Sequence, residues 1–416
     1  MLKKLCTTAC ALGLIFTQNL SAAKNNSLKE TKDQLAQLIT DQLEFATALF
    51  YNIDQPTHNF VFSPYSLTCS LSMAYLGARD TTLSSMRKTL KFNLAPKDVA
   101  KGFSILSSTL VPGPSGDLGY TLNLASAIWL NLGTYVLSDY SLGISKDFNG
   151  YLGIQNFAQK SIATDAINSW ASGKTHGKIT ELLNLSDLSE VTRMVLTDTV
   201  YFKGAFTSPF DPKATKPLPF YPTQEGSVQT PMMQQAAPFL HMENELMQAI
   251  ALPFYGKSVG GGTMALAIFL PKSAGNFSAI VQDLPHSFRE VLSALKMQSV
   301  DLTLPKFTIL KRSELNETLQ KMGMGIPFTT DANFSGIDGM LDLYLSKVVH
   351  ATYFELNEDG VTAAAASSAS INIKALPPEK PPTPFVADHP FLFFLVDLKS
   401  QEMLFMGKYA VPGDSL

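Results

Sequence analysis

Residues 358 to 384 constrain this chain more than any other stretch. They begin Glu358-Asp359-Gly360-Val361-Thr362-Ala363-Ala364-Ala365-Ala366-Ser367-Ser368-Ala369-Ser370-Ile371-Asn372-Ile373-Lys374-Ala375-Leu376-Pro377-Pro378 and continue to Pro384. Two plain readings are a small-residue linker and an alanine-rich helix, because Ala363 to Ala366 has high helix propensity. Alternation argues against both. The odd positions from 361 to 373 are Val, Ala, Ala, Ser, Ala, Ile and Ile, and the even positions from 362 to 374 are Thr, Ala, Ala, Ser, Ser, Asn and Lys. One face is free of charge and ends apolar, while the other turns polar and then charged. That is the period-two signature of a strand with one buried face. Small residues and a proline-rich exit suit an exposed loop. A segment with both characters is a loop that can become a strand, and its small side chains let it enter between existing strands without clashes.

The body of the chain mixes helices and strands. Leu35, Leu38, Ile39, Gln42, Leu43, Ala46, Leu49 and Phe50 share one stripe at helical spacing. Ser66 to Leu76 reads as a buried helix after the cap-and-proline pair Ser63-Pro64. Ile167 to Leu183 reads as a helix, a turn at Ser172-Gly173 and a second helical stretch. Met194 to Phe202, Met264 to Leu270, Val300 to Leu304 and Phe391 to Val396 read as strands. Strands and helices do not alternate regularly, so the expected class is α+β rather than a doubly wound sheet. No internal repeat and no dividing linker is visible, and one large domain, residues 24–416, is expected.

The first residues read as a targeting segment. Lys3 and Lys4 precede an apolar run from Leu5 to Phe16, and Ser21-Ala22-Ala23 offers small residues for cleavage. The expectation is a signal peptide over residues 1–23 and a secreted or extracellular chain, periplasmic if a double-membrane host retains it. The competing readings are a buried N-terminal helix and a lipoprotein anchored at Cys10. Cys6 and Cys10 leave with the signal, so Cys69 remains alone and no intramolecular disulfide forms in the mature chain. Cys69 lies in the apolar stretch Leu67 to Leu76 and reads as a small buried hydrophobe. At 45% hydrophobic residues the chain is not intrinsically disordered. After residue 25 no apolar run approaches the roughly 20 residues that span a bilayer. A formal net charge of -3 supplies no basic footprint for nucleic acid.

Catalytic motifs fail on context. Gly256-Lys257-Ser258-Val259-Gly260 matches a nucleophile elbow, but that turn needs a helix after it, and Gly260-Gly261-Gly262 is poor helix material. It reads as a hairpin loop. Ser85-Met86-Arg87-Lys88 has the serine-x-x-lysine pattern of penicillin-binding enzymes without a Ser-Asp-Asn partner. Gly173-Lys174-Thr175 resembles the end of a phosphate loop, with Asn168 where the first glycine belongs. His58, His176, His241, His286, His350 and His389 show no metal-ligand spacing. No enzyme, cofactor or metal is expected.

Several further motifs occur in order. Asn59-Phe60-Val61-Phe62-Ser63-Pro64-Tyr65-Ser66-Leu67 precedes Tyr75-Leu76-Gly77-Ala78-Arg79. Ile167-Asn168-Ser169-Trp170 comes with Thr175-His176-Gly177-Lys178-Ile179, and Tyr201-Phe202-Lys203-Gly204 with Pro209-Phe210-Asp211-Pro212. Leu304-Pro305-Lys306-Phe307, Ala387-Asp388-His389-Pro390-Phe391-Leu392-Phe393-Phe394 and Leu404-Phe405-Met406-Gly407 follow. Together with the acidic pair, glycine and alanine run of the 358–384 segment, this order resembles the serpin family over about residues 35 to 413.

The resemblance implies a single serpin domain of three β-sheets and eight or nine helices, with an exposed reactive-centre loop over about 358–384. It also implies the family's known suicide mechanism. A protease cuts the loop, an acyl-enzyme forms, and the cut loop inserts into the main sheet. The hinge would be Glu358, Asp359, Gly360, Val361, Thr362, Ala363, Ala364, Ala365 and Ala366. Counting Glu358 as the first, the seventeenth residue is Lys374, so the implied reactive bond is Lys374-Ala375. A lysine there suits trypsin-like serine proteases, whose pocket carries an aspartate. Ile373 before it suits a papain-like cysteine protease. The small hinge implies an inhibitor, and the competing class is a binding or chaperone-type serpin whose loop is cut as a substrate.

The resemblance also groups Ser63, Ser66, Asp198 and His350 beneath the opening sheet, where the family usually has Asn in place of Asp198. Asp198 and His350 are expected to form a charge-assisted pair that restrains sheet opening. Lys306 and Glu358 match the family's ion pair at the base of the loop, and Phe206 stands where the family usually has tryptophan. The heparin-binding helix of some relatives corresponds to about residues 96 to 110, which offer only Lys97 and Lys101. No strong heparin effect, a monomer, and a target protease as partner are expected. Sequons stand at Asn25, Asn184, Asn276, Asn316 and Asn333.

Overall fold

The computed structural model describes residues 29–53, 58–110, 120–223, 225–361 and 381–414. The expected signal segment 1–23, the expected hinge residues Thr362 to Ala366 and the expected reactive bond Lys374-Ala375 lie outside the described residues. Among those described, nine α-helices and mixed sheets give an α+β architecture.

Helix α1 spans residues 29–53. A short strand β1 (Phe60–Phe62) leads into helix α2 (Pro64–Gly77). Ser63 caps α2 by accepting the Ser66 N–H, and Pro64 occupies the first turn. All residues of α2 except Leu76 are buried. A helix buried on every side has no amphipathic stripe. Its polar side chains bond their own backbone, as Thr68 to the Pro64 carbonyl at 2.5 Å and Ser72 to the Thr68 carbonyl at 2.7 Å. The chain continues through α3 (Asp80–Thr89), α4 (Pro96–Leu110), β2 (Tyr120–Asn131), α5 (Ser138–Asp147), β3 (Tyr151–Gln155), α6 (Lys160–Lys174) and β4 (Met194–Ala205). Strands β5 (Lys216–Thr223), β6 (Gly226–Glu243), β7 (Met247–Pro253) and β8 (Met264–Pro271) precede α7 (Asn276–Ala294), β9 (Lys296–Pro305) and β10 (Phe307–Glu314). Later come β11 (Leu345–Asn357), β12 (Gly360–Val361), β13 (Thr383–Val386), β14 (Phe391–Asp397) and β15 (Met403–Tyr409).

Two hydrogen-bonded sheets result. One has nine strands in the order β1-β15-β14-β8-β7-β6-β9-β13, with β5 also on β6. The 18-residue β6 joins what would otherwise be two sheets, because its first half pairs with β5 and its second half with β7. The other sheet runs β10-β11-β12-β4-β2-β3. Helix α2 packs between the sheets, against β2, β4 and β15.

The second sheet positions the site. Strands β4 and β11 are parallel neighbours, with Met194 opposite Leu345 and Thr352 opposite Val200. At the far end of this seam they part, and the two residues of β12 lie between them. Val361 pairs with Leu356 on one side and Gly204 on the other. Even-numbered residues of both strands, such as Leu196, Phe202, Val348 and Phe354, face the main core. Odd-numbered Val195, Val349 and Ala351 face a second, smaller core under α6.

Residues 175–193 contradict the expected second helical stretch. Helix α6 ends at Lys174, and His176 and Gly177 then take left-handed φ of 52° and 78°. Ile179, Leu182, Leu183 and Leu188 lie on the second core instead of forming a helix face. A single 3-10 turn, Leu185–Asp187, interrupts this strap.

Candidate functional site

The site is the seam itself, read from the base of the loop downward. Asn357 to Gly360 make the turn out of β11. The Asn357 Oδ1 accepts from the N–H groups of Asp359 and Gly360 at 3.1 and 3.3 Å. Gly360 has φ 146°, and a Cβ there would stand 2.2 Å from the Gly204 carbonyl oxygen. Glycine is required at this point, and it lets Val361 slot between two strands.

Glu358 is 8% exposed. Its carboxylate accepts from Lys306 Nζ at 3.0 and 3.3 Å and from Thr215 Oγ1 at 2.8 Å. Burial pushes this carboxyl up, but the Lys306 hydrogen bond, its own backbone N–H and the Thr215 hydroxyl prevail and hold it below the ordinary glutamate value. Its carbonyl accepts from the Phe210 N–H at 2.9 Å, and that of Asp359 from the Phe206 N–H at 2.8 Å. Phe206 stacks on Phe254 at 5.0 Å and 14°, and meets Phe210 edge-on at 6.1 Å. Phe206, Phe210 and Phe254 thus pack together beside the turn.

Midway along the seam, Asp198 and His350 stand directly opposite each other in the β4–β11 ladder. Both are buried, and His350 Nδ1 lies 2.5 Å from Asp198 Oδ1. The other ring nitrogen, Nε2, accepts from the Ser63 backbone N–H at 3.0 Å. That contact assigns the proton to Nδ1, which donates to Asp198. Ser70 Oγ reaches Asp198 Oδ2 at 3.4 Å. Ser63 enters the cluster through its backbone as well as its cap. Ser66 belongs to the cap through its N–H, while its hydroxyl has no partner among the described residues. Thr352 adds a bond to the Val61 carbonyl at 2.8 Å. Sequence reading missed Ser70, although Ser63, Ser66 and Ser70 share one helical spacing.

The rejected motifs have structural roles. Ser258 Oγ accepts from the Gly262 N–H at 2.9 Å and closes the β7–β8 loop. Asn168 holds the strap: its Oδ1 accepts from the Leu182 and Leu183 N–H groups at 2.9 and 2.8 Å. Burial, foremost, pushes the Cys69 thiol up to about 12. Among the described residues no group of three or more His, Cys, Asp or Glu could hold a metal ion. Lys97 and Lys101 are exposed on α4. Of the sequons, Asn316 uses both side-chain atoms internally, on the Ser346 carbonyl at 2.8 Å and the Val348 N–H at 2.9 Å.

Comparison with known proteins agrees with this architecture. Residues 40–412 match the family described as serpin (serine protease inhibitor). An uncharacterized serpin-like protein of Thermococcus kodakarensis is 34% identical over 402 residues, covering 95% of this chain and 90% of the relative. The leukocyte elastase inhibitor of Sus scrofa is 31% identical over 390 residues, covering 91% of this chain and 100% of the relative. Among solved structures, Serpin48 of the insect Tenebrio molitor superposes with a TM-score of 0.78 at 25% identity, over 91% of this chain and 98% of that one.

Proposed function

From the premise that this chain belongs to the serpin family, we propose that it is an exported suicide inhibitor of trypsin-like serine endopeptidases, cut at Lys374-Ala375. The observation that carries this reading is the placement of β12. Gly360 and Val361 already occupy the top of the β4–β11 seam, each in register with both neighbours. Continued downward, the β4 register sets residue 367 opposite Asp198 and residue 371 opposite Met194. The β11 register independently sets 367 opposite His350. Odd-numbered loop residues then share the core face of Val361, and these are the uncharged ones. A strand from 361 to 373 would extend about 43 Å at about 3.3 Å per residue, far enough to carry a bound protease across the molecule.

The chemistry is the protease's own. Its serine oxygen attacks the Lys374 carbonyl, the bond to the Ala375 nitrogen breaks, and the new amine takes the proton from the protease's histidine. The product is an ester of Lys374 on the protease serine. Insertion of residues 362 onward competes with water for that ester. Glu358, Lys306 and Thr215 hold the fixed base from which the loop swings. Asp198 and His350 hold the seam closed until the strand enters.

Lysine directs the reading toward a pocket with an aspartate. The name of the Sus scrofa relative speaks of elastase, whose small pocket would not take Lys374. Ile373 favours a second reading, a papain-like cysteine protease attacked through the same loop. The segment 1–23 supports export, with a mature N-terminus at Lys24, and the partner is the protease, met by a monomer.

The test is to mix the mature chain with trypsin, run a denaturing gel and weigh the released C-terminal fragment. A gel-stable complex with a fragment beginning at Ala375 is the expected result. Complete cleavage with trypsin still active would overturn the trypsin assignment, and papain would then separate the cysteine-protease reading from a non-inhibitory serpin.

A further inference from the structure

The connection from β13 to β14, Ala387 to Pro390, is tied to three other strands. The Ala387 N–H donates to the Thr303 carbonyl of β9 at 2.9 Å, and the Asp388 carbonyl accepts from the Tyr221 N–H of β5 at 2.7 Å. The third tie is a side chain. His389 Nε2 lies 2.6 Å from the Pro271 carbonyl oxygen at the end of β8, and Nδ1 lies 2.8 Å from Asp388 Oδ1. The ring thus extends the attachment of β14 to β8 beyond the last backbone pair, Leu392 opposite Phe269.

Both ring nitrogens face oxygens that only accept. A neutral imidazole carries one N–H, so it would satisfy one oxygen and turn a lone pair on the other. An imidazolium donates to both. Burial, the largest influence, pulls the ring below its ordinary value, but the Asp388 and Pro271 hydrogen bonds and the Asp388 charge prevail and hold it above 6.5. On its own connection the facing charge is Asp388. From the neighbouring strands come Lys272, just after Pro271, and Glu243 of β6, which pair with each other at 2.5 Å. Tyr221 approaches through its backbone, and Tyr409 of β15 packs on Phe391 at 5.5 Å, with burial pushing its phenol up. A second histidine lies near β13: the buried His241 of β6 meets Phe385 edge-on at 6.2 Å, with Nε2 on Gln248 Oε1 at 3.2 Å.

The strand that this connection follows is weakly held. β13 has 4 residues and pairs with β9 alone, at the edge of the nine-stranded sheet. So short a strand, paired on one side, depends on what fixes its exit.

We propose that Asp388, His389 and the Pro271 carbonyl form a proton-operated latch that keeps β13 seated on the sheet edge. With the ring protonated, the connection is pinned to β8 and β13 stays on β9. When the ring gives a proton to water, a lone pair meets an oxygen, the connection lifts and β13 opens locally. Because the fold holds the ring above its ordinary value of 6.5, the latch contributes fully below about pH 6.5 and is lost as pH rises through the folded value. The latch needs no protease, so it is judged apart from the inhibitory reading. Under that reading β13 anchors the downstream end of the loop, and the latch would set the pH range in which the loop is presented.

Two measurements on the full chain test this. The first is an NMR titration of the imidazole rings, with His389 identified as the resonance lost in His389→Gln. Its midpoint should lie above 6.5 and should fall in Asp388→Asn. The second is hydrogen exchange at about pH 6 and about pH 8.5, with each amide scaled by its intrinsic rate. Protection over β13, Ala387 and Tyr221 should drop about tenfold between the two, the factor that losing one charge-assisted hydrogen bond gives a local opening. The amides of β8 and β14 should keep their protection. His389→Gln should show low protection at both pH values, so that the step disappears. If that variant does not fold, Asp388→Asn should move the step to lower pH. Glu402→Gln, which changes another raised group, should keep it. A His389 midpoint at or below 6.5 would overturn the latch. So would a step that survives unchanged in His389→Gln, which would pass the effect to His241.

Discussion

Two fully buried carboxylates sit in regions with different duties. Asp198 lies across the β4–β11 seam and is given a complete set of partners: the His350 ring at 2.5 Å and the Ser70 hydroxyl at 3.4 Å. Glu402 lies in the corner between α1, α7 and the β14–β15 turn. It receives one bond, from Gln42 Nε2 at 3.2 Å. The nearby Arg289 is half-buried, and among the described residues its Nε finds no partner, nor does Gln42 Oε1. Burial therefore dominates at Glu402 and pushes its carboxyl up to about 8, against the attraction of Arg289 and the Gln42 bond, with Asp397 adding to the rise. A charge at the seam is matched by a partner on the opposite strand, so the pair senses separation. The corner has no such duty, and there the protein keeps a proton instead.

The largest expected effect breaks the seam pair. Asp198→Ala leaves His350 buried with a donor and no acceptor, and should lower unfolding stability by about 3–5 kcal/mol, the cost typical of removing one partner from a buried pair. Asp198→Asn keeps an acceptor oxygen and should cost about 1–2 kcal/mol, since a neutral hydrogen bond replaces a charge-assisted one. Urea unfolding of both variants measures this.

The corner should respond to pH. Glu402 has a folded pKa raised above its ordinary value of 4.5, to about 8. The native state then holds a proton that the unfolded chain gives up. Its contribution is fully favourable below about pH 4.5 and declines as pH rises through about 8. Glu402→Gln should abolish this decline, and at pH 8 to 9 should exceed wild type in stability. Melting curves of the two proteins from pH 5 to 9 decide it; parallel curves would show that Gln42 and Arg289 stabilise the carboxylate after all.

How much of this was legible in the sequence follows from where each signal resides. Strands such as β8 and β14 are continuous apolar runs, and α2 announces itself by Ser63-Pro64, so local pattern suffices. The strap misled because Ile179, Leu182 and Leu183 have helical spacing, while the left-handed turn at His176-Gly177 directs them onto a sheet that local pattern cannot see. The pairing of Asp198 with His350 became visible through family resemblance alone, since 152 positions separate them. Asp187, Arg312 and Lys347 come together from three separate segments, and no spacing rule links those. Glu402 was missed for the same reason: one acidic residue in a turn gives no sign that α1 and α7 will cover it.

The smallest effect belongs to the base of the loop and completes the comparison. Glu358 is nearly as buried as the other two carboxylates, yet its partner Lys306 is 46% exposed. Water screens that side of the pair, so the interaction is worth at most about 1 kcal/mol. Thr215 and the backbone still satisfy the carboxylate when the lysine is gone. Lys306→Ala should therefore lower unfolding stability by no more than about 1 kcal/mol, and most of that should vanish in high salt. Thr215→Val, which removes the half-buried hydroxyl, should cost as much or more and resist salt. If Lys306→Ala instead costs as much as Asp198→Asn, with no salt dependence, exposure would not be what separates these sites, and the lysine would be holding the turn at Asn357 to Gly360 in place.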